Sequence, residues 1–246
     1  MNTPQISLII PGYNEADIVA ETIHLTDEIL KSTHKTYEIL IVDDGSKDDT
    51  GNILEEIVKS GKYPNFHFVS YKDGPSRREN LAKSFSLLKG ELIVVLDMDR
   101  SMDSKHIKDF IYWLDQGYEM VIPNRYHKES ILKRSLGRYV ISVIYNRMIR
   151  TLFQTRFQDN ICGFKAFKRD VAMRLVDLAG IDKSRTRSVF WDTQIIIYAH
   201  SEKINIKVIP VKWTEGKKTS LNFKREIKMF PFIFKFWLFF KFSKSK

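Results

Sequence analysis

Three short apolar runs in the first hundred residues each stop abruptly at an acidic cluster. Ser7-Leu8-Ile9-Ile10 leads into Pro11-Gly12-Tyr13-Asn14-Glu15, Ile39-Leu40-Ile41-Val42 into Asp43-Asp44-Gly45-Ser46, and Leu92-Ile93-Val94-Val95-Leu96 into Asp97-Met98-Asp99. β-branched runs without polar alternation read as strands buried on both faces, and so as a parallel sheet. Ligands of such sheets bind beyond the carboxyl ends of the strands. The three clusters then line one crevice, and carboxylates gathered there suit a divalent cation better than an apolar ligand.

The spacing predicts alternating elements: strands ending at Ile10 and at 37–42, 66–70, 92–96 and 120–122, with helices at 16–31, 50–59, 79–88 and 104–114 between them. Asp48, Asp49 and Thr50 read as the cap of the second helix, and Ser104 as that of the fourth. Residues 131–157 place Val140, Ile141, Ile144, Met148, Ile149 and Leu152 on one helical face among Arg138, Arg147, Arg150 and Arg156. Periodicity leaves open whether that face meets protein or lipid. Further strands are predicted at 163–167 and 204–211, with helices at 172–178 and 191–200.

A chain of 246 residues, 43% hydrophobic, can bury the core of one α/β domain with additions. The division expected is a catalytic domain at 1–215 and a basic, aromatic segment at 216–246. The formal charge of +10 is localised: residues 217–246 hold nine Lys or Arg against Glu226, and residues 125–156 hold eight against Glu129. These segments carry +8 and +7, leaving −5 for the rest. Localised basic charge implies an anionic partner, and the large apolar residues within both segments favour a membrane surface over nucleic acid. Residues 229–242 are too short and too lysine-interrupted to span a bilayer, and read as lying in its interface or packing on the core. No signal peptide is visible before the first strand, and Cys162 alone allows no internal disulfide, so a cytosolic site, peripheral to a membrane, is expected.

Asp97 and Asp99, two residues apart beyond a strand, can reach one cation together in extended backbone. Mg²⁺ or Mn²⁺ is commonly held by one or two carboxylates plus substrate phosphates, so the pair suffices for either ion. Asp43 and Asp44 can meet a nucleobase N–H or a ribose hydroxyl, and equally can belong to an Asp-Gly turn. Tyr13 can stack on a base and Glu15 accept from ribose; a helix-opening loop is the plainer alternative.

Together these motifs resemble glycosyltransferase family 2 on the GT-A nucleotide-diphospho-sugar fold, a Rossmann-like α/β fold with a mostly parallel central sheet. Arg125-Tyr126, the stretch from Asp159-Asn160 through Cys162-Gly163-Phe164-Lys165 to Arg169, Phe190-Trp191-Asp192 and Trp213-Thr214-Glu215 resemble more narrowly the polyprenyl-phosphate and dolichyl-phosphate hexosyltransferases. The resemblance extends over residues 6–215. It implies inverting transfer of a hexose from a nucleotide sugar, UDP-glucose slightly before GDP-mannose, to a lipid monophosphate. It also implies nucleotide-sugar contacts from Pro11, Tyr13, Glu15, Asp43, Asp44 and Asp97, and catalysis by Asp99, Arg125 and Asp192, the last as base or as loop anchor. Arg125, Arg134, Lys165 and Arg169 are the implied partners of the acceptor phosphate.

Several positions depart from the family pattern. Lys72-Asp73-Gly74-Pro75-Ser76-Arg77-Arg78 replaces a Gly-Lys-Gly turn, Gln194 stands where glucose-type relatives often carry Glu, and Arg100 and Ser101 follow the Asp pair. No Gln-x-x-Arg-Trp signature of processive synthases occurs, which points to single transfer. A glycan acceptor, or a non-catalytic nucleotide- or nucleic-acid-binding module, are the competing readings.

Overall fold

The computed structural model describes residues 3–216 and 223–243, the side chains of 223–228 and 243 excepted. The first half of the chain alternates as expected: β1 (Ile6–Gly12), α1 (Val19–Lys31), β2 (Tyr37–Asp43), α2 (Thr50–Lys59), β3 (Phe66–Ser70), α3 (Glu79–Ser84) with a 3-10 turn at Phe85–Leu87, β4 (Leu92–Val95), α4 (His106–Asp115) and β5 (Met120–Asn124). The second half adds β6 (Ile131–Lys133), α5 (Leu136–Phe153), β7 (Lys165–Lys168), α6 (Arg169–Ala179), α7 (Phe190–Ser201), β8 (Ile206–Pro210), β9 (Lys212–Thr214) and α8 (Phe223–Ser243).

Seven strands form one sheet in the order β3-β2-β1-β4-β7-β5-β8. Only β7 runs against its neighbours, β4 and β5. Both faces are apolar, as the unalternated runs require: Ile6, Leu8 and Ile10 pack with Ile23 and Phe110 on one side, while Ile9 packs with Phe85 and Trp191 on the other. From β1 the chain winds outward through β2 and β3, then returns to place β4 on β1's opposite side. The loops after β1 and β4 therefore diverge at a topological switch point, where such sheets open a crevice.

The predicted helix over 131–157 is shorter than its apolar spacing suggested. Residues 131–133 instead form β6, which pairs in parallel with β9 as a separate two-stranded ribbon. Gln154, at φ 56°, ends α5 in a left-handed turn. α5 buries Ser142, Asn146, Ile149 and Phe153, so half of its predicted apolar face, Val140, Ile141 and Ile144, stays exposed. Asn146 Oδ1 accepts from the Asn160 backbone, which explains why a polar side chain faces inward.

α8 packs on α5 and α7 through Met229, Ile233, Phe236 and Phe240, in contact with Phe153, Phe190 and Ile197. Trp237 Nε1 donates to the Leu152 carbonyl at 3.0 Å. Its other face leaves Phe230, Phe234, Phe239 and Phe242 exposed. The core-packing reading of residues 229–242 thus holds for one face of the helix, and the other face is exposed. The rest of the 216–246 segment, at 217–222 and 244–246, lies outside the described residues.

Candidate active site

The crevice beyond β1 and β4 is a cleft of about 860 Å³. Its lining combines a carboxylate-bearing set, Pro11, Tyr13, Glu15, Asp44, Asp97 and Asp99, with Arg125, Arg134, Arg138 and Trp213, and with Ile141, Ile144, Met148, Met229 and Phe230. Pro11, Tyr13 and Glu15 keep partial exposure. Their loop is braced against the next one, with Asn14 N–H donating to Ser46 Oγ and Glu15 N–H to Thr50 Oγ1. Asp48 joins that brace by accepting from the Ala16 and Thr50 amides, a structural role as its cap reading anticipated. The fourth helix starts two residues past Ser104, with Asp103 accepting from Lys105 N–H.

Met98 is buried between the two aspartates, so the turn sends both carboxylates to the cleft. Asp99 accepts from Ser101 N–H at 3.0 Å and Ser101 Oγ at 2.7 Å. Burial, then repulsion from Asp97, raises its pKa above the usual carboxylate range. Asp97 gives one oxygen to Arg78 Nη2 at 2.9 Å, and Arg78 Nε donates to Asp192 at 2.7 Å. The other oxygen of Asp192 accepts from Lys165 Nζ at 2.8 Å. Burial opposes the ionised form of Asp192, but Arg78 and Lys165 outweigh it and hold the pKa below its ordinary value. A carboxylate so stabilised is a poor proton acceptor, which favours the anchoring role over the base.

Two like-charged carboxylates at one turn, of which Asp99 has only Ser101 as partner among the described residues, fit a divalent cation. No group of three or more His, Cys, Asp or Glu is placed to hold a metal among those residues, so substrate phosphate and water would complete the shell.

Asp43 and Asp44 face inward. Asp43 Oδ1 accepts from Ser46 N–H at 3.0 Å, and the residue does not line the cleft. Asp44 receives the amides of Ser76 and Arg77, Ser76 Oγ and Asn80 Nδ2 at 2.7–2.8 Å. Burial raises its pKa although those hydrogen bonds work the other way. Four donors fill its acceptor sites, so its present role is to hold the 73–78 loop. Gly74 is required there, because a Cβ would fall 1.7 Å from the Asp44 carbonyl oxygen.

Among the arginines that line the cleft, Arg125 forms a fork with Asp159 at 2.7 and 2.8 Å, and both are buried. Burial resists the charge on each, yet mutual attraction keeps Arg125 protonated and Asp159 ionised. Trp213 lies between two guanidiniums, 5.4 Å from Arg125 and 5.3 Å from Arg134. Arg134 Nη1 donates to Ser142 Oγ at 2.7 Å, while its buried Nε has no hydrogen-bond partner among the described residues. Burial and then Arg125 depress its pKa, as befits a cation lacking a carboxylate. Arg138 pairs with Glu215.

Two of the four basic residues assigned to the acceptor phosphate are placed otherwise. Arg169 does not line the cleft: β7 is antiparallel, so its far end meets the opposite edge of the sheet, where Arg169 donates to the Leu88 carbonyl. Lys165 reaches the cleft edge of the sheet but is buried, bonded to Asp192 and the Cys162 carbonyl. Arg100, in a left-handed turn, pairs with Glu21 at 2.8 Å. Sequence reasoning missed Arg78 as a site residue, and Asp159 and Trp213 as partners of the arginines. Arg78 was visible only as a departure from a familiar loop.

A mostly parallel sheet with an Asp-x-Asp turn at its switch-point crevice defines a GT-A glycosyltransferase. Residues 7–176 match the glycosyl transferase family 2 description, and the chain belongs to that family. It is 26% identical over 227 residues to glycosyltransferase AglD of Haloferax volcanii, covering 91% of this chain but 35% of that protein. It is 25% identical over 237 residues to dolichyl-phosphate beta-glucosyltransferase of Dictyostelium discoideum, covering 91% and 71%. The chain thus spans about a third of the Haloferax protein and most of the Dictyostelium one. Among solved structures, glucosyl-3-phosphoglycerate synthase of Mycobacterium tuberculosis with Mn²⁺, UDP-glucose and phosphoglyceric acid superposes with a TM-score of 0.61 at 16% identity, covering 88% and 73%.

Proposed function

We propose that the chain transfers a hexose, with inversion, from a nucleotide sugar to a polyprenyl or dolichyl phosphate at the cytosolic face of a membrane. One observation carries the reading: a single cleft is lined by carboxylates, by an arginine without a carboxylate partner among the described residues, and by exposed apolar residues of two helices. A cation-bound diphosphate, a phosphate monoester and an isoprenoid chain present the complementary groups. UDP-glucose is favoured slightly over GDP-mannose as donor. The resemblance to the Dictyostelium enzyme is the support for that preference and for the lipid acceptor.

In this reading a lipid-phosphate oxygen forms a bond to the anomeric carbon as the bond to the nucleoside diphosphate breaks. The electron pair leaves with the diphosphate. A divalent cation bound by Asp97 and Asp99 would neutralise the charge that develops there. The nucleophile is largely ionised at neutral pH, its second pKa being about 6, so no strong base is needed. Asp192 can then remain paired with Lys165 and Arg78. Arg134, which lines the cleft without a carboxylate partner among the described residues, would meet the incoming phosphate, with Arg125 held beside it by Asp159.

The exposed faces of α5 and α8 are proposed as the membrane contact. Leu136 is 77% exposed and Ile144 63%, Phe234 57% and Phe239 62%, with Arg147, Arg150, Lys235 and Lys241 exposed among them. No helix among the described residues is long and apolar enough to cross a bilayer. The test is incubation with labelled UDP-glucose or GDP-mannose, Mg²⁺ and polyprenyl phosphate. An organic-extractable product, lost in Asp99→Ala, is expected; labelling that ignores lipid phosphate but requires a glycan would sink the lipid-acceptor reading.

A further inference from the structure

Among the described residues, Arg78 alone hydrogen-bonds both the Asp-x-Asp turn and the buried carboxylate of α7. Its side chain is 12% exposed, with Nη2 on Asp97 Oδ1 at 2.9 Å and Nε on Asp192 Oδ2 at 2.7 Å. Three features hold it there. Its loop hangs on Asp44, which takes the Ser76 and Arg77 amides. Asp192 is itself fixed by Lys165. Gly163 leaves the necessary room, since a Cβ at that position would lie 2.4 Å from Arg78 Nη2 and 2.3 Å from Asp97 Oδ2.

The guanidinium has two electrostatic consequences. It commits one oxygen of Asp97, leaving Oδ2 for a cation, and it sets a fixed positive charge beside the place where that cation must bind. Like charges a few ångströms apart repel even with solvent screening, so the charge lowers the affinity of a bare divalent ion. The same charge attracts a diphosphate. Once an anion arrives it offsets both cations, and the repulsion no longer limits binding.

We propose that Arg78 is a positioning residue that makes cation binding depend on the nucleotide: the divalent ion binds weakly alone and is recruited together with the diphosphate. This rests on the donor-site reading above and extends it to a residue that stands where relatives carry the Gly-Lys-Gly turn. It also gives Asp44 an indirect part, through the loop that presents Arg78.

The experiment measures two affinities by calorimetry on the full chain: Mn²⁺ without nucleotide, and UDP in the presence of EDTA. For Arg78→Met, Mn²⁺ alone should bind about ten-fold tighter, and metal-free UDP about ten-fold weaker. Opposite signs are the signature, because loosening of the site would weaken both. Arg78→Lys retains the charge and should keep both affinities within about three-fold of the parent. If the methionine variant does not fold, Arg78→Gln, which still donates to Asp192, puts the same question. Mn²⁺ affinity that is unchanged or weaker in the neutral variants, while the parent binds Mn²⁺ and UDP together, overturns the role of Arg78 and leaves the donor site standing. A parent that binds neither probe overturns the donor site and this role with it.

Discussion

Among the cleft residues proposed for the donor, carboxylates outnumber their charged partners, whereas among those proposed for the acceptor the surplus charge is a cation. Asp97, Asp99 and Asp192 share Arg78 and Lys165, and Asp99 is left with a serine. In the second set Asp159 is matched by Arg125 and Glu215 by Arg138, while Arg134 has no carboxylate within salt-bridge reach among the described residues. Paired charges hold the architecture, and the unpaired charge in each set has the opposite sign to the group it is proposed to bind. The contrast also separates residues that should matter for stability from those that should matter for turnover.

The largest effects should come from breaking the pairs. Asp159→Ala strands Arg125 in a buried site and should cost about 3–5 kcal/mol of unfolding free energy in urea. Asp192→Asn should cost a comparable amount at pH 7. Because the folded pKa of Asp192 is depressed, its contribution is present above the unfolded value and lost as pH falls through the folded one, so the deficit should shrink in acid. A full deficit at every pH would assign the loss to packing instead of charge.

Asp99 should behave in the opposite way. Its removal should lower turnover by about 10²–10³-fold if it supports leaving-group departure. Its pKa is raised in the fold, so stability is lost as pH rises from the unfolded value through the folded one, and the full penalty is present above both. Asp99→Asn should therefore melt above the parent at pH 7, and the advantage should vanish below about pH 3.8, where both folded and unfolded carboxyls of the parent are protonated. A variant that melts lower at pH 7 would return Asp99 to the structural class.

Arg134→Ala should raise the KM for lipid phosphate by about 10–100-fold, the equivalent of a charge-assisted hydrogen bond, with little change in the melting temperature. The smallest effect on stability belongs to α8. Phe234→Glu with Phe239→Glu should leave the melting curve within about 0.5 kcal/mol of the parent and reduce pelleting with anionic vesicles. Phe236→Glu, on the packed face, should destabilise instead. Equal behaviour of the two faces in both assays would dissolve the distinction between them.

The donor half was the more legible in sequence, because each strand runs directly into the residues it presents. Pro11, Asp97 and Asp99 were found from short contiguous motifs, and β1, β2 and β4 fall close to their predicted ranges. The acceptor half is assembled from distant segments: Arg125 meets Asp159, and Trp213 meets Arg134, only after folding. Arg169 was misplaced because a strand's direction is not written in its composition, and the reversal of β7 separates two basic residues only four apart in the chain. The apolar stripe of α5 was identified, yet spacing could not tell that Ser142 and Asn146 would turn inward and leave Val140, Ile141 and Ile144 exposed.

The β6–β9 ribbon acts as a ruler. β9 is held from both sides by consecutive amides: Thr214 N–H donates to the Ser101 carbonyl just past the Asp-x-Asp turn, and Glu215 N–H donates to the Lys133 carbonyl beside Arg134. Backbone bonds on the two sides of one strand fix the interval between the two grips. Side-chain substitutions can change what each grip holds, but a change in its distance from the other requires moving the backbone of β9 itself.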